Sequence, residues 1–428
     1  MKKFLNPGRI IALGFLFIIL IGTLLFLLPV SHKEGVRIGF VDAFFTATSA
    51  VCVTGLSTFD PGSTLSVFGQ TVLGILIQLG GLGFACISIG IIMLTGQKIL
   101  LKQRTLVKEA LNYGSYGGLL SVVKSVLYTT LVIEGIGAVA NFFVFSKCYP
   151  LPKAIGVSIF HSVSSFNNAG FDIFGNGNNL IGFNGNIALT FITALLIILG
   201  GIGFVVIKEV LTKRSFKKFT LHTKVVLTIT LILLIGGTIV FKLTENYSWL
   251  DSFFMSTSTR TAGFSTVNLS NISNGGFVVY LLLMFIGASP SSTGGGIKTT
   301  TFFVVLTALY SYSSSKKPTV FKKTLARDVL YKAFIILSLG LTVVFTTTFL
   351  LCIAEPQLSL KDLLYEAVSA FATVGLSTGI TPTLSSFGKI VIISTMFIGR
   401  IGPLTIASLW FFKKSPSISY AEDTLTLG

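Results

Sequence analysis

Four times along this 428-residue chain a short polar segment closes on a glycine between two apolar stretches. The copies are Ser49-Ala50-Val51-Cys52-Val53-Thr54-Gly55-Leu56-Ser57, Ser164 through Gly170-Phe171-Asp172, Thr257 through Gly263-Phe264-Ser265, and Ser369 through Gly375-Leu376-Ser377. Each has Ser or Thr six places before the Gly, Leu or Phe after it, and then Ser or Asp. The glycines lie 115, 93 and 112 residues apart, a spacing that matches whole modules rather than turns of one solenoid.

Around every copy the order repeats: an outer apolar span, a short amphipathic segment, the Gly loop, and an inner apolar span. Outer spans cover roughly 10–30, 120–146, 224–244 and 332–354, and inner spans roughly 66–95, 185–208, 274–312 and 385–412, each able to supply the ~20 residues that cross a bilayer. The pattern specifies an all-α polytopic membrane protein with eight crossings and four half-membrane hairpins. Four pseudo-repeats, at 1–110, 111–218, 219–325 and 326–428, then surround one pore.

Composition agrees, with 52% apolar and 11% charged residues. The stretch from Ile10 to Val30 after Met1-Lys2-Lys3 exceeds the roughly 7–15 residues of a cleavable signal core, so it reads as a retained first helix. Cys52, Cys86, Cys148 and Cys352 show no CxxC spacing, which implies neither a disulfide framework nor a zinc site.

The net charge of +17 would suggest nucleic acid in a soluble protein, but the cations here follow membrane topology. Most Lys and Arg fall in the N-terminus, the three linkers between modules and the C-terminal tail. Only Lys33, Arg37, Lys147, Lys153, Lys242, Lys361 and Lys389 fall on the opposite side. An excess of Lys and Arg marks cytoplasmic loops, which places both termini and all linkers in the cytoplasm. Acids lean outward, with Asp60 and Asp172 just past Gly55 and Gly170, where negative vestibules concentrate cations.

Non-helical backbone at membrane depth survives only where protein encloses it or it lines a watery cavity. Four such loops about one axis point their carbonyls at that axis and replace the hydration shell of an ion. Glycine at the centre takes positive φ and turns successive carbonyls to one side. The expected filter is Val53, Thr54 and Gly55; Asn168, Ala169 and Gly170; Thr261, Ala262 and Gly263; and Thr373, Val374 and Gly375, with K⁺ held by their carbonyls. Only Thr373-Val374-Gly375-Leu376-Ser377 approaches the T-V-G-Y-G filter of potassium channels. One glycine per loop, where that motif has two, implies fewer carbonyl rings and weaker discrimination of K⁺ from Na⁺.

The third inner span differs from its siblings. Its 38 residues, Gly275 to Tyr312, would form a helix of about 57 Å, more than a bilayer needs. It is expected to break at Ser289, Pro290, Ser291, Ser292, Thr293, Gly294, Gly295, Gly296, Ile297, Lys298 and Thr299, a polar Gly-rich loop able to take open and closed arrangements beneath the filter. A second repeat, Gly80, Gly200, Gly287 and Gly399, follows the filter glycines by 25, 30, 24 and 24 residues and suits close helix approach or bending.

Three charges fall inside this frame. Arg400 should face the pore, bracing the gating loop through carbonyl hydrogen bonds and setting a barrier to cations. Arg260, three before Gly263, needs an anion behind the filter; Glu366 is the nearest by module order, with Asp172 as the alternative. Glu134 lies mid-span in the second outer helix, as a proton or cation site or as a packing hydrogen bond. His161 with Ser162, Ser164 and Ser165 lacks a G-x-S-x-G elbow, which favours polar lining over hydrolysis.

Together the four loops, Thr293-Gly294-Gly295-Gly296-Ile297-Lys298-Thr299-Thr300, and Gly399-Arg400-Ile401-Gly402-Pro403-Leu404-Thr405 resemble the Trk/Ktr/HKT superfamily of cation transporters over essentially the whole chain. The length resembles the bacterial Ktr-type membrane subunit more than the longer Trk type. The resemblance implies K⁺ uptake across the bacterial cytoplasmic membrane, often Na⁺-stimulated. It also implies a homodimer with one pore per chain, seated on a ring of nucleotide-binding RCK regulatory subunits. It carries the filter over to Gly55, Gly170, Gly263 and Gly375, the gating loop to Ser289–Thr300 and the inner-helix cation to Arg400. Some Na⁺-transporting plant members have Ser where Gly55 stands, so Gly here favours K⁺. This chain has no nucleotide site of its own, so the regulatory partner would dock on the basic linkers, notably Lys213 to Lys218 and Lys316 to Lys323, which also suit anionic lipid. A Na⁺ or cation–proton symporter using Glu134, and a membrane enzyme using His161, are the alternatives.

Overall fold

The computed structural model describes residues 7–95, 100–110, 117–175, 177 and 179–408. Met1-Lys2-Lys3, part of the first linker, and the tail with Lys413, Lys414 and the end of the 385–412 span lie outside these residues.

Each module has an outer, a pore and an inner helix. The outer helices are Pro7–Leu27, Leu119–Phe145, Leu221–Thr244 and Arg327–Ala354, each long and apolar enough to cross a membrane. Their large side chains point outward, among them Phe17, Leu131, Leu231 and Phe345. Small residues face inward: a Cβ on Gly137 or Gly237 would strike Ser162 or Ser256 of the neighbouring pore helix, so the absent side chain lets the helices approach closely.

The pore helices are Phe40–Cys52, Leu151–Phe166, Trp249–Ser258 and Leu360–Ala372. At 1.5 Å per residue they reach about 15–24 Å and cannot cross the ~30 Å hydrocarbon core. Two begin with reciprocal capping: Ser248 accepts from Asp251 N and Ser359 from Asp362 N, while each Ser hydroxyl donates to the Asp carboxylate.

The inner helices start at Val67, Ile187, Asn274 and Ser386, and each carries a capping residue, Ser66, Asn186, Ser273 or Ser385, whose oxygen accepts a backbone N–H three residues on. The sequence points to a break in the third inner span and leaves bending open near Gly80, Gly200 and Gly399; all four inner spans break. Val67–Leu82 turns by 94° into Phe84–Leu94, and Ile187–Gly201 turns by 97° into Phe204–Lys213. The fourth, Ser386–Ile401, resumes as Pro403–Ser408, and the third has a non-helical stretch between Asn274–Phe285 and Thr299–Ser313. Gly83, Gly203 and Gly402 sit at these corners with φ of 78°, 93° and 95°, left-handed values that a Cβ makes costly. Gly80-Gly81-Leu82-Gly83-Phe84 and Gly200-Gly201-Ile202-Gly203-Phe204 are the sequence trace of the two sharp bends.

Packing closes the modules into a ring. Inner helix 1 lies on pore helix 2, inner helix 2 on pore helix 3, inner helix 3 on pore helix 4, and inner helix 4 on pore helix 1. The four pore helices are thereby enclosed, with Phe45, Phe166, Phe254 and Phe371 fully buried. Between inner helix 3 and outer helix 4 the chain forms a small hairpin, Thr319–Val320 paired with Lys323–Thr324, turned through Phe321 and Lys322 at φ 46° and 63°.

Candidate functional site

The four glycine loops meet at the centre of this ring. A Cβ on Gly55 would collide with the Ala169 carbonyl, one on Gly170 with Ala262, one on Gly263 with Val374, and one on Gly375 with Thr54. The order runs from module 1 to 2, 3, 4 and back to 1, which only a closed cycle about one axis satisfies. Their φ values are 96°, 69°, 76° and 91°, so both space and backbone exclude a larger residue.

Hydroxyls brace the loops from behind. Gly55 N donates to Ser49 Oγ at 3.0 Å and Gly375 N to Ser369 Oγ at 3.1 Å, while Ser164 Oγ donates to Phe171 O at 2.6 Å. The third loop departs from the repeated spacing, because Ser258 donates to Phe264 O and Thr257 turns back to Phe253 O. Val53, Asn168 and Thr373, two places before their glycines, all have left-handed φ, whereas Thr261 does not. Asn168 and Thr261 hydrogen-bond through their side chains at 2.8 Å, joining loops 2 and 3.

The segment from Ser289 to Thr299 lies against the inner side of these loops. Module 2 holds one flank: Ser289 N donates to Gly201 O at 3.0 Å, Thr293 N to Gly200 O at 3.3 Å, and Phe204 N to Ser291 O at 2.9 Å. Module 4 holds the other, where Gly295 N donates to Thr373 Oγ1 at 2.9 Å. Lys298 Nζ donates to Gly294 O at 2.6 Å, and Ser289 and Thr299 bond through their hydroxyls at 2.9 Å. The glycines are required by space as well as by freedom, since a Cβ on Gly294 would strike Thr261 and one on Gly295 would strike Thr373. Pro290 and Ser292 complete the turn, with Ser292 Oγ donating to Ser289 O at 2.6 Å.

Arg400 spans three modules. Its Nη1 donates to Thr293 O in the loop, and its Nη2 to Gly80 O and, at 3.3 Å, to Gly81 O of inner helix 1. The expected ion pair between Arg260 and Glu366 does not form. Glu366 instead accepts from Thr381 Oγ1, which also reaches Ser377 Oγ at 3.1 Å, and Arg260 Nε is buried without a partner. Ion pairs do form elsewhere, at Lys213–Glu209 and Lys389–Asp42. Module order misplaced the pair because Glu366 faces the outer loop of its own module.

Glu134 is buried and accepts from Asn167 Nδ2 at 2.9 Å; the same amide reaches Gln78 Oε1 at 2.8 Å. Sequence reading placed Glu134 mid-span but missed this bridge, because Gln78 and Asn167 belong to different modules. His161 bonds Thr193 Oγ1 at 2.8 Å among aromatic rings from Phe145, Phe174 and Phe264.

A model of the TrkH family, described as a cation transport protein, matches residues 16–225 and 218–422. The chain belongs to the TrkH family. It is 40% identical over 99% of its length, and 97% of the relative's, to the Ktr system potassium uptake protein B of Bacillus subtilis. It is 37% identical over 100% of its length, and 98% of the relative's, to the potassium/sodium uptake protein NtpJ of Enterococcus hirae. Among solved structures, the potassium transporter TrkH from Vibrio parahaemolyticus superimposes with a TM-score of 0.77 at 19% identity, covering 96% of this chain and 86% of that one, a likeness of fold. TrkH-family proteins are cation transporters rather than enzymes, so the buried His161 takes no part in hydrolysis.

Proposed function

We propose that this TrkH-family chain takes up K⁺ through the ring of Gly55, Gly170, Gly263 and Gly375, with backbone carbonyls of Val53–Gly55, Asn168–Gly170, Thr261–Gly263 and Thr373–Gly375 replacing water around the ion. The cyclic contact of the four glycines carries this reading. The pore helices add to it, because each ends at the ring and its C-terminal dipole presents partial negative charge there. The loop from Ser289 to Thr299 acts as the gate, restrained by Arg400, whose positive charge also opposes passage of a cation. One glycine per loop implies fewer ordered carbonyl rings than a potassium channel and weaker exclusion of Na⁺.

The chain works as a homodimer, with both termini and the basic linkers in the cytoplasm. A nucleotide-binding subunit of the RCK type docks on the linkers around Lys213 to Lys218 and Lys316 to Lys323. Stimulation by Na⁺ is part of the proposal, prompted by the potassium/sodium uptake named for the Enterococcus relative. Initial rates of ⁸⁶Rb⁺ uptake into vesicles, with competing K⁺ or Na⁺, test the core of it. Uptake should fall with Gly263→Ser or Gly375→Ser and survive His161→Ala. Uptake that ignores the glycine changes refutes the filter. Growth rescue of a K⁺-uptake-deficient bacterium with and without a co-expressed RCK subunit tests the partner.

A further inference from the structure

We propose that the groove between the second half of inner helix 3 and outer helix 4 binds an anionic phospholipid and thereby steadies that half-helix. The groove encloses about 510 Å³. Leu309, Leu330 and Phe334 give it an apolar lining, Lys316 and Arg327 line it too, and no acidic side chain does. The small hairpin brings these cations together: Leu325 N donates to Pro318 O at 2.8 Å, which folds the connection back so that its two ends flank one opening.

Two observations favour a lipid over a free anion. The apolar lining is open to the outside, Leu309 being 55% and Phe334 38% accessible. Tyr312 and Tyr331, at the ends of the two helices, are 91% and 67% accessible, and rings of this kind sit at the headgroup level of a bilayer. A phosphodiester at Lys316 and Arg327 with an acyl chain over Leu330 satisfies both halves of the groove, whereas a soluble anion leaves the apolar half in water.

The position gives the lipid a lever. The half-helix Thr299–Ser313 begins directly after Lys298, and its first residue bonds Ser289 of the loop. Holding the half-helix against outer helix 4 therefore fixes one end of the loop under the filter. This second half of the inference rests on the gating role proposed above; lipid binding itself does not.

The test uses the full-length chain in detergent, with native mass spectrometry while phosphatidylglycerol or phosphatidylcholine is titrated in. Lys316→Gln with Arg327→Gln should weaken phosphatidylglycerol binding about 30-fold, taking roughly 1 kcal/mol per basic residue near an anionic surface and 1.4 kcal/mol per tenfold. Leu330→Trp, which fills the apolar part of the groove without changing charge, should weaken it too. Lys217→Gln with Lys218→Gln removes the same charge elsewhere on the linker face and should change binding far less. An equal loss in that control, displacement of the lipid by inorganic phosphate, or a shift in oligomeric state without loss of lipid each overturns the binding site. In phosphatidylcholine vesicles, added phosphatidylglycerol should raise ⁸⁶Rb⁺ uptake by the unaltered chain and not by the Lys316/Arg327 variant. Binding without that rise overturns the lever, and absence of ⁸⁶Rb⁺ uptake in every vesicle overturns the transport reading while leaving the binding result intact.

Discussion

Replacing Arg400 separates the loop from the helices that frame it. Its Nη1 serves Thr293 O in the loop, whereas Nη2 serves Gly80 O and Gly81 O of inner helix 1. In the proposed gating movement the loop leaves the glycine ring and breaks only the first of these. A hydrogen bond to a charged group contributes about 1.5–3 kcal/mol net, so its loss shifts the balance between seated and displaced loop by about 10- to 150-fold. Arg400→Gln should therefore raise initial ⁸⁶Rb⁺ uptake in vesicles, per folded protein measured by size exclusion, until the path is fully open. Arg400→Lys keeps the charge but loses the planar fork that reaches Thr293 and Gly80 together, so it should also raise uptake, by less. If the Lys variant matches the unaltered chain while Gln does not, charge alone restrains the path and the hydrogen-bond reasoning fails. Unchanged uptake in both removes Arg400 from the restraint.

The remaining predictions concern the frame. Ser369→Ala leaves Gly375 N without its acceptor at a cost of about 1–3 kcal/mol, and should lower the Rb⁺/Na⁺ preference in competition uptake more than it lowers expression. Gly200→Ala forces a methyl onto the Phe166 carbonyl and should reduce thermal stability by about 1–3 kcal/mol or more, whereas Gly236→Ala, facing open space in outer helix 3, should be neutral or stabilising by up to about 1 kcal/mol. Glu134→Gln keeps an acceptor for Asn167 and should leave ⁸⁶Rb⁺ uptake and its pH dependence unchanged; loss of uptake with a pH-independent remainder would assign Glu134 to proton or Na⁺ coupling.

Local chemistry made much of the architecture legible. Outer helices such as Leu221–Thr244 follow from apolar stretches, here the one between Lys224 and Lys242, and the pore segments from lengths too short to cross. The third inner break was visible because Ser289-Pro290-Ser291-Ser292-Thr293 is polar where lipid would be. The breaks of the first two inner helices were less so, because Leu82-Gly83-Phe84 and Ile202-Gly203-Phe204 are as apolar as a straight span and only the spaced glycines hint at a corner; in the fourth, Gly402-Pro403 marks the break within an apolar run. The hydroxyl brace of the third loop, at Ser258 rather than Thr257, escaped for a similar reason: a shift of one residue changes which side chain faces the loop and leaves the composition untouched.

By itself the amino-acid order determined that this protein lives in a membrane, that it repeats four times, and that each repeat carries a glycine free to take positive φ. Those properties depend on the period and polarity of neighbours in sequence. Tertiary structure alone decided which modules touch: that inner helix 4 closes onto pore helix 1, that Arg400 reaches Thr293 and Gly80, and that Glu366 turns to Thr381 rather than Arg260. These contacts join residues up to 347 positions apart, as between Lys389 of inner helix 4 and Asp42 of pore helix 1. Closure of the ring brings them together, and no local preference encodes it.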